Sequence, residues 1–192
     1  LKFLPSDMQS YSATDTPLPI GFGQTISAPH MVSIMNEALQ LEVGCKVLEV
    51  GAGSGWHAAT MAELISSRDE PRSEWGHVYT VEIVHVLADQ ARKNIMNAGY
   101  GDRVSIINAD GSKGHPEKAP YDRIVVTAAA PEVPKPLLDQ LKTGGLMIIP
   151  VGNVSLFQNL LRITKDSDGK SKRENLGGVA FVPLTGEYGQ SS

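Results

Sequence analysis

Apolar runs alternate with amphipathic stretches along most of the chain, which predicts strands and helices in turn. Short apolar runs are typical of buried parallel strands. They predict five strands, at 46–50, 77–82, 103–108, 123–127 and 146–151. Apolar residues at helical spacing predict helices that begin at 28–30, cover 56–65, end near Gly99, and cover 136–141. This alternation is typical of an α/β domain with a mostly parallel sheet flanked by helices.

The two ends of the chain depart from the alternation. Residues 1–24 are rich in Ser, Thr, Asp and Pro and predict an irregular N-terminal arm, and the start at Leu1 suggests that upstream residues are missing. Residues 159–164 and 174–181 flank a polar turn and predict an antiparallel hairpin within a C-terminal segment, 155–186. At 192 residues, the expectation is one domain that spans 1–192.

Two connections are predicted from polar and turn residues. Ser27 is expected to be the N-cap of the first helix, with Pro29 in its first turn. Residues 66–75 are polar and contain Pro71, which predicts a surface loop.

A glycine-rich turn directly follows the first predicted strand. Gly51, Gly53 and Gly55 allow the backbone to adopt positive φ and to approach a ligand closely. Glu82 ends the next predicted strand, where a carboxylate can accept hydrogen bonds from ribose hydroxyls. The G-x-G-x-G spacing differs from the G-x-G-x-x-G that cradles a dinucleotide pyrophosphate. The pattern therefore favours S-adenosylmethionine as cofactor and argues against a dehydrogenase.

Composition narrows the class of protein further. The net charge is −4 and the charged residues are spread along the chain, so no nucleic-acid partner is expected. No apolar run approaches the roughly 20 residues that cross a bilayer, so no membrane partner is expected. The single cysteine, Cys45, excludes an internal disulfide and fits the cytoplasm. The histidines show no metal-ligand spacing, and a monomer without metal is expected.

Several segments resemble the protein-L-isoaspartate O-methyltransferase family, and the resemblance covers nearly the whole chain, from Phe3 to Gly186. The most specific segment is Gln24-Thr25-Ile26-Ser27, because many methyltransferases share the glycine turn. The other segments are Gly23 and Ala28-Pro29-His30 on either side of it, Pro120-Tyr121-Asp122, Ala128-Ala129-Ala130-Pro131, Leu141-Lys142-Thr143-Gly144-Gly145, Pro150-Val151-Gly152 and Phe181-Val182-Pro183-Leu184-Thr185-Gly186.

This resemblance implies a Rossmann-like S-adenosylmethionine-dependent methyltransferase fold and an activity. A methyl group passes from S-adenosyl-L-methionine, leaving S-adenosyl-L-homocysteine, to the free carboxylate of an L-isoaspartyl residue. The ester then favours a succinimide, and its hydrolysis returns part of the damage to normal aspartate. The implied partners are isoaspartyl-containing proteins and peptides.

The resemblance also implies roles for individual residues. Ser27 is the expected active-site hydroxyl, which orients the substrate carboxylate. The expected cofactor-binding residues are Thr25, Ile26, Gly51, Ala52, Gly53, Ser54, Glu82, Ile83, Asp110, Gly111, Leu184 and Thr185. The expected substrate-binding residues are Ser27, His30, Ala129 and Val133. Trp56, directly after the last glycine of the turn, is expected to pack within its helix and not against substrate.

The required chemistry agrees with what the sequence contains. A carboxylate, with a pKa near 4, is already ionised at pH 7, so its attack on a sulfonium methyl needs no strong general base. It needs in-line placement and removal of water. Accordingly, the sequence shows no Ser-His-Asp or Cys-His set.

Other functions stay open as alternatives. A methyltransferase of a small molecule or of another protein substrate would share the cofactor half, and a non-catalytic cofactor-binding relative could keep it. A nucleic-acid N-methyltransferase is disfavoured, because Ala128-Ala129-Ala130-Pro131 stands where an Asn/Asp-Pro-Pro-aromatic motif is expected.

Overall fold

A seven-stranded sheet lies at the centre of the computed structural model, which describes residues 2–67, 69–153 and 157–190. Four helices and a separate two-stranded hairpin surround it. Residue 1 of the expected arm, residue 68 of the expected loop and residues 155–156 of the expected C-terminal segment lie outside the described residues. The elements are β1 (Leu18–Gly21), β2 (Gln24–Ile26), α1 (Pro29–Leu39), β3 (Lys46–Val50), α2 (Trp56–Ile65), β4 (His77–Glu82), α3 (His85–Ala98), β5 (Val104–Asn108), β6 (Tyr121–Val126), α4 (Lys135–Gln140), β7 (Leu141–Gly152), β8 (Gln158–Lys165) and β9 (Ser171–Val179).

The order of the strands creates a crevice beside β3. The order is β5-β4-β3-β6-β7-β8-β9, with β3 to β7 parallel and β8 and β9 antiparallel. The chain runs outward from β3 to β5 and then returns to β6 on the other side of β3. In open α/β sheets, ligands bind at the carboxyl ends of the strands where the order reverses in this way. The predicted parallel strands and C-terminal hairpin are confirmed.

The sheet separates two apolar layers. Successive side chains of a strand point to opposite faces. Val47 of β3 packs in the cluster that contains residues of α1, α2 and α3, whereas Leu48 and Val50 pack in the cluster that contains Leu137 of α4. Glu49 shares the face of Val47 and approaches His57 of α2.

The expected irregular arm contains ordered elements. Residues 6–11 form a 3-10 helix, and β1 pairs with β2 in an antiparallel hairpin, with Leu18 opposite Ile26. The turn residues Gly21, Phe22 and Gly23 all have positive φ. The pattern missed this hairpin because its strands have four and three residues and β1 contains Pro19, a residue normally depleted in strands.

The predicted N-cap at Ser27 is wrong. The helix α1 has Ala28 at the N-cap position, and no side chain of that residue caps it. Asp15, from the N-terminal arm, supplies the acceptor instead: its Oδ1 accepts the backbone N–H of His30 at 3.0 Å. This N–H holds the pKa of Asp15 below its usual value. The capping group is distant in sequence, so local capping rules could not identify it.

Several boundaries also differ from the prediction. The strands β5, β6, β8 and β9 are shifted by one to three residues at their ends. The helix predicted at 136–141 is α4, one residue earlier, and β7 begins at Leu141 where 146 was predicted. The first residues of β7 after Leu141 are exposed and polar or glycine, so they carry no apolar signal of a strand.

Candidate functional site

The glycine turn lies in the crevice between β3 and β6. Gly51 has a φ of +100° and donates its N–H to the carbonyl of Val81 at 2.8 Å. On its other side, the hydroxyl of Thr127 lies 2.8 Å from the carbonyl of Gly51 and 3.1 Å from that of Val50. A Cβ on Gly51 would overlap Thr127 Oγ1. The absence of a side chain at Gly51 is therefore required by both its backbone conformation and its neighbour.

Glu82 ends β4 level with this turn. Its Oε2 accepts the N–H of Gly53 at 2.9 Å and its Oε1 accepts the N–H of Val84 at 3.0 Å. The side chain is 6% exposed. Each carboxylate oxygen can accept about two hydrogen bonds. Glu82 thus orients the glycine turn and keeps acceptor capacity for a ligand.

A narrow groove runs from the glycine turn over Glu82. Eight of the predicted cofactor-binding residues come together in it: Thr25, Gly51, Gly53, Glu82, Ile83, Gly111, Leu184 and Thr185. Residues that the sequence reasoning missed complete its lining: Gln24, Val50, Val81, Val84, Thr127, Ala128, Val182 and Pro183. Thr127 could have been found, because it directly follows a buried strand.

The C-terminal segment covers the groove through β-type pairing with the loop after β6. Ala129 donates its N–H to the carbonyl of Val182 and accepts the N–H of Leu184, at 2.8 and 2.9 Å. Ala129 is fully buried, and Val133 is 8% exposed within the apolar core. The structure therefore does not support the peptide contacts predicted for Ala129 and Val133. Ala129 instead anchors the segment that carries Leu184.

Asp110 also anchors this segment. Its Oδ1 accepts the backbone N–H and the hydroxyl of Ser112, at 2.9 and 2.6 Å, and its Oδ2 accepts the N–H of Glu187 at 2.9 Å. Burial opposes ionisation, but these hydrogen bonds outweigh it and lower the pKa of Asp110. The neighbouring Gly111 lines the groove. The Asp110 carboxylate instead binds the backbone of the C-terminal segment at Glu187.

Ser27 lies where several hollows meet. It is half-buried, and no described residue forms a hydrogen bond with its hydroxyl. One small hollow is bounded by both Ser27 and Gly53, and three further predicted cofactor residues, Ile26, Ala52 and Ser54, line it rather than the groove. The hydroxyl predicted to act on the acceptor is thus brought beside the turn predicted to bind the methyl donor.

Two further hollows extend from Ser27 away from the turn. One, of about 210 Å³, is lined by His30 and Phe181, and the Nδ1 of His30 lies 2.9 Å from Asp15 Oδ1. The other, of about 410 Å³, is lined by Trp56 and Tyr100. Trp56 is only partly buried and borders two hollows that Ser27 also borders, contrary to the packing role predicted for it.

The groove is suited to a nucleoside with a charged or polar extension. Glu82 offers acceptor positions for hydroxyls, Ile83 and Leu184 supply apolar walls, and Gly51 leaves room for close approach. These residues fit S-adenosylmethionine. Within the described ranges, no helix has the length and apolar character that spanning a membrane requires.

Comparisons with known proteins agree with this site. The model of the family described as protein-L-isoaspartate(D-aspartate) O-methyltransferase matches residues 1–189. A protein-L-isoaspartate O-methyltransferase of Hyperthermus butylicus is 58% identical over 97% of this chain and 77% of its own length. One of the same name from Thermococcus sibiricus is 55% identical over 98% of this chain and 81% of its own length.

Solved structures show the same similarity. A structure titled protein-L-isoaspartate O-methyltransferase has a TM-score of 0.85 and 30% identity, over 98% of this chain and 58% of that chain. A protein of Plasmodium falciparum, titled as a putative enzyme of this kind in complex with S-adenosyl-L-homocysteine, has a TM-score of 0.80 and 29% identity. That match covers 96% of this chain and 84% of the other.

Proposed function

This chain belongs to the protein-L-isoaspartate(D-aspartate) O-methyltransferase family. From this we propose a division of roles between the groove and Ser27. The enzyme uses S-adenosylmethionine to methylate isoaspartyl residues of proteins, which initiates their repair. The observation that carries the division of roles is the hollow bounded by both Ser27 and Gly53.

The groove holds the methyl donor. When bound there, S-adenosylmethionine supplies an electrophilic methyl group on a sulfonium. Glu82 accepts hydrogen bonds from the two ribose hydroxyls, with its orientation fixed by the N–H groups of Gly53 and Val84. Ile83 and Leu184 contact the adenine from the walls of the groove. The backbone of the glycine turn lies along the methionine part.

Ser27 faces the acceptor. The isoaspartyl carboxylate is already ionised, since its pKa lies near 4, so no residue has to remove a proton from it. Its oxygen must be placed in line with the methyl group and freed of water. The Ser27 hydroxyl donates a hydrogen bond to this carboxylate and so sets its position. The hollow lined by His30 and Phe181 receives the flanking peptide.

A labelling assay tests the reaction. Incubation with methyl-labelled S-adenosylmethionine and an isoaspartyl peptide should yield a base-labile methyl ester, whereas the matched aspartyl peptide should stay unlabelled. Equal labelling of both peptides would refute selective repair. It would instead favour a general carboxyl methyltransferase.

The substitution Ser27→Ala tests the role of the hydroxyl. Loss of one hydrogen bond to a charged group should lower kcat about 10- to 100-fold. Affinity for S-adenosylhomocysteine, measured by calorimetry, should change less than about 2-fold, because Ser27 does not line the groove. Ser33→Ala, which removes an exposed hydroxyl of α1, is the matched control and should keep wild-type kcat. A loss of cofactor affinity with unchanged turnover would contradict the proposed role.

The proposal includes a monomer that acts in the cytoplasm. The most exposed apolar side chains, Phe157, Met96 and Phe22, lie on three different segments of the chain, which supports a monomer. The only cysteine, Cys45, is a buried free thiol, which suits a reducing compartment. Light scattering of the purified protein should give the mass of one chain. A stable dimer mass would contradict the monomer.

A further inference from the structure

A buried glutamate and a buried histidine meet behind the glycine turn. Glu49 of β3 has no exposed surface, and His57 in the first turn of α2 is 7% exposed. Glu49 Oε1 lies 3.4 Å from His57 Nδ1. Among the described residues, neither Glu49 oxygen nor this ring nitrogen has a hydrogen-bond partner. Unpaired buried groups of this kind are costly, so the protonation of the pair must compensate.

The hydrogen bonds on the other side of the ring determine its tautomer. Thr60 donates its hydroxyl proton to the carbonyl of His57 at 2.8 Å, so its oxygen accepts the amide N–H of Asn36 at 3.2 Å. This orients Asn36 with its Oδ1 toward His57 Nε2, at 2.9 Å. Since Oδ1 can only accept, Nε2 carries the proton. In a neutral imidazole, Nδ1 then presents a lone pair to Glu49.

The lone pair of His57 Nδ1 and an ionised Glu49 carboxylate would repel one another. A single proton between the two groups replaces this repulsion with attraction. Burial raises the pKa of Glu49 to about 8; the neighbouring Thr80 hydroxyl opposes this rise, and the nearby Glu82 carboxylate adds to it. Burial lowers the pKa of His57 to about 4. The residues paired with Glu49 in the sheet, Thr80 of β4 and Val125 of β6, carry no charge. Both partners are therefore neutral at pH 7, with the proton on the glutamate.

The pair connects the two halves of the site. Asn36 belongs to α1, which begins two residues after Ser27, and His57 belongs to α2, which directly follows the glycine turn. His57 and Ser27 also line the same small hollow. We propose that Glu49 stays neutral and donates its carboxyl hydrogen bond to His57, so that the chain Glu49–His57–Asn36 positions Ser27 against the glycine turn. The effect on Ser27 rests on the proposed function, whereas the neutral pair does not.

Two substitutions of Glu49 distinguish the effect of its hydrogen-bond donor from the effect of its side-chain volume. In Glu49→Gln, the side-chain amide still donates to Nδ1, so kcat for an isoaspartyl peptide should stay within about 2-fold of wild type. In Glu49→Met, the volume is kept but the donor is lost, and kcat should fall at least about 10-fold. S-adenosylhomocysteine affinity should change less than about 3-fold in both variants, because Glu49 does not line the groove. His77→Asn removes a histidine at the opposite end of β4 and should keep wild-type kcat.

Nitrogen NMR of the histidine rings measures the protonation state and tautomer of His57 without an activity assay. His57 should appear as the neutral Nε2–H tautomer between pH 5 and 8 in the wild type and in Glu49→Gln. The His77→Asn spectrum removes one competing signal from the assignment. Wild-type kcat should also decline as the pH rises through the ionisation of Glu49, and Glu49→Gln should lack this decline.

Three results would overturn the proposal: a doubly protonated His57 at pH 7, a Glu49→Met enzyme with wild-type kcat, or a Glu49→Gln enzyme as impaired as Glu49→Met. If Glu49→Met does not fold, the NMR spectra and the Glu49→Gln pH profile still decide. Failure of the wild type to label an isoaspartyl peptide would refute the proposed function instead. The tautomer of His57 would remain measurable in that case.

Discussion

Glu49 and Glu82 lie on neighbouring strands and on the same face of the sheet, yet their environments are opposite. Glu49 is paired in register with Thr80, and Glu82 follows that threonine by two residues. Glu49 is fully buried beside His57, whereas Glu82 borders the groove and accepts two backbone N–H groups. One carboxyl group is held neutral and the other is available to a ligand.

The difference between them is a matter of depth along the strand. Two residues of a strand span roughly 7 Å. That distance separates a position covered by the first turn of α2 from one at the open edge of the sheet. On the same face of the sheet, Glu49 therefore positions neighbouring side chains, whereas Glu82, two residues further along, is available to bind a ligand.

The largest expected effect comes from adding a side chain to the glycine turn, at the open edge of the sheet. Gly51→Ala introduces a Cβ at a φ of +100° and against Thr127 Oγ1. The strain of about 1–3 kcal/mol is expected to displace the turn and to weaken S-adenosylhomocysteine binding about 10- to 100-fold or more. Calorimetry measures this. Gly178→Ala, where a Cβ meets open space, is the control and should bind like the wild type. Equal affinity of both variants would show that the turn does not contact the ligand.

The direct comparison of the two glutamates should give the next largest effect. Glu82→Gln removes the charge and sets an amide N–H against one of the N–H groups of Gly53 or Val84. A lost hydrogen bond to a charged group, about 1.5–3 kcal/mol, should weaken S-adenosylhomocysteine binding about 10- to 100-fold. Glu49→Gln in the same titration should bind like the wild type. Equal losses of affinity in the two variants would contradict the distinction between Glu82 at the groove and the buried Glu49.

The smallest expected effect is in the pH dependence of stability. Glu49 has a raised pKa in the folded state, about 8, so it stabilises the fold at low pH and that stability is lost as the pH rises toward 8. His57 has a lowered pKa, about 4, so its stabilisation is lost as the pH falls from 6.5 toward 4. The two slopes cancel near pH 5–6, and only the decline from Glu49 remains above pH 6.5.

Chemical denaturation at pH 7 and pH 8 checks this sign. The free energy of unfolding should fall by about 1 kcal/mol between these values in the wild type, relative to Glu49→Gln. The substituted amide does not titrate, so the difference between the two proteins isolates Glu49. A difference between the two proteins that stays constant over this interval would indicate that Glu49 is already ionised in the folded state.

Local pattern predicted the framework well and the N-terminal region poorly. The strands β3 and β4 were predicted with their observed bounds, because a buried parallel strand must be apolar over its whole length. The β1–β2 hairpin was missed. It lies on the glycine turn, where a Cβ on Gly53 would approach Ile20 Cδ1 to 3.3 Å, so its position depends on a contact distant in sequence.

The candidate site divides in the same way. Glu82 and the glycine turn were found because one ends β4 and the other follows β3, two strands that are adjacent in the sheet and consecutive along the chain. Val182 was missed, since its presence in the groove depends on its pairing with Ala129. Thr127 was missed although it directly follows the buried strand β6. The backbone of Ala129, a predicted substrate-binding residue, pairs with the C-terminal segment, and this contact likewise joins segments distant in sequence.

By itself, the sequence determined the strands, the glycine turn and the carboxylate that ends β4, and the Gln24–Ser27 segment indicated the reaction. These features depend on apolar periodicity and backbone freedom, which are local properties. Only the tertiary structure decided that Glu49 is enclosed with His57 while Glu82 faces the groove, and that Asp15 caps α1. Burial and protonation depend on which helix covers a strand and how far, and that is set by packing between distant segments.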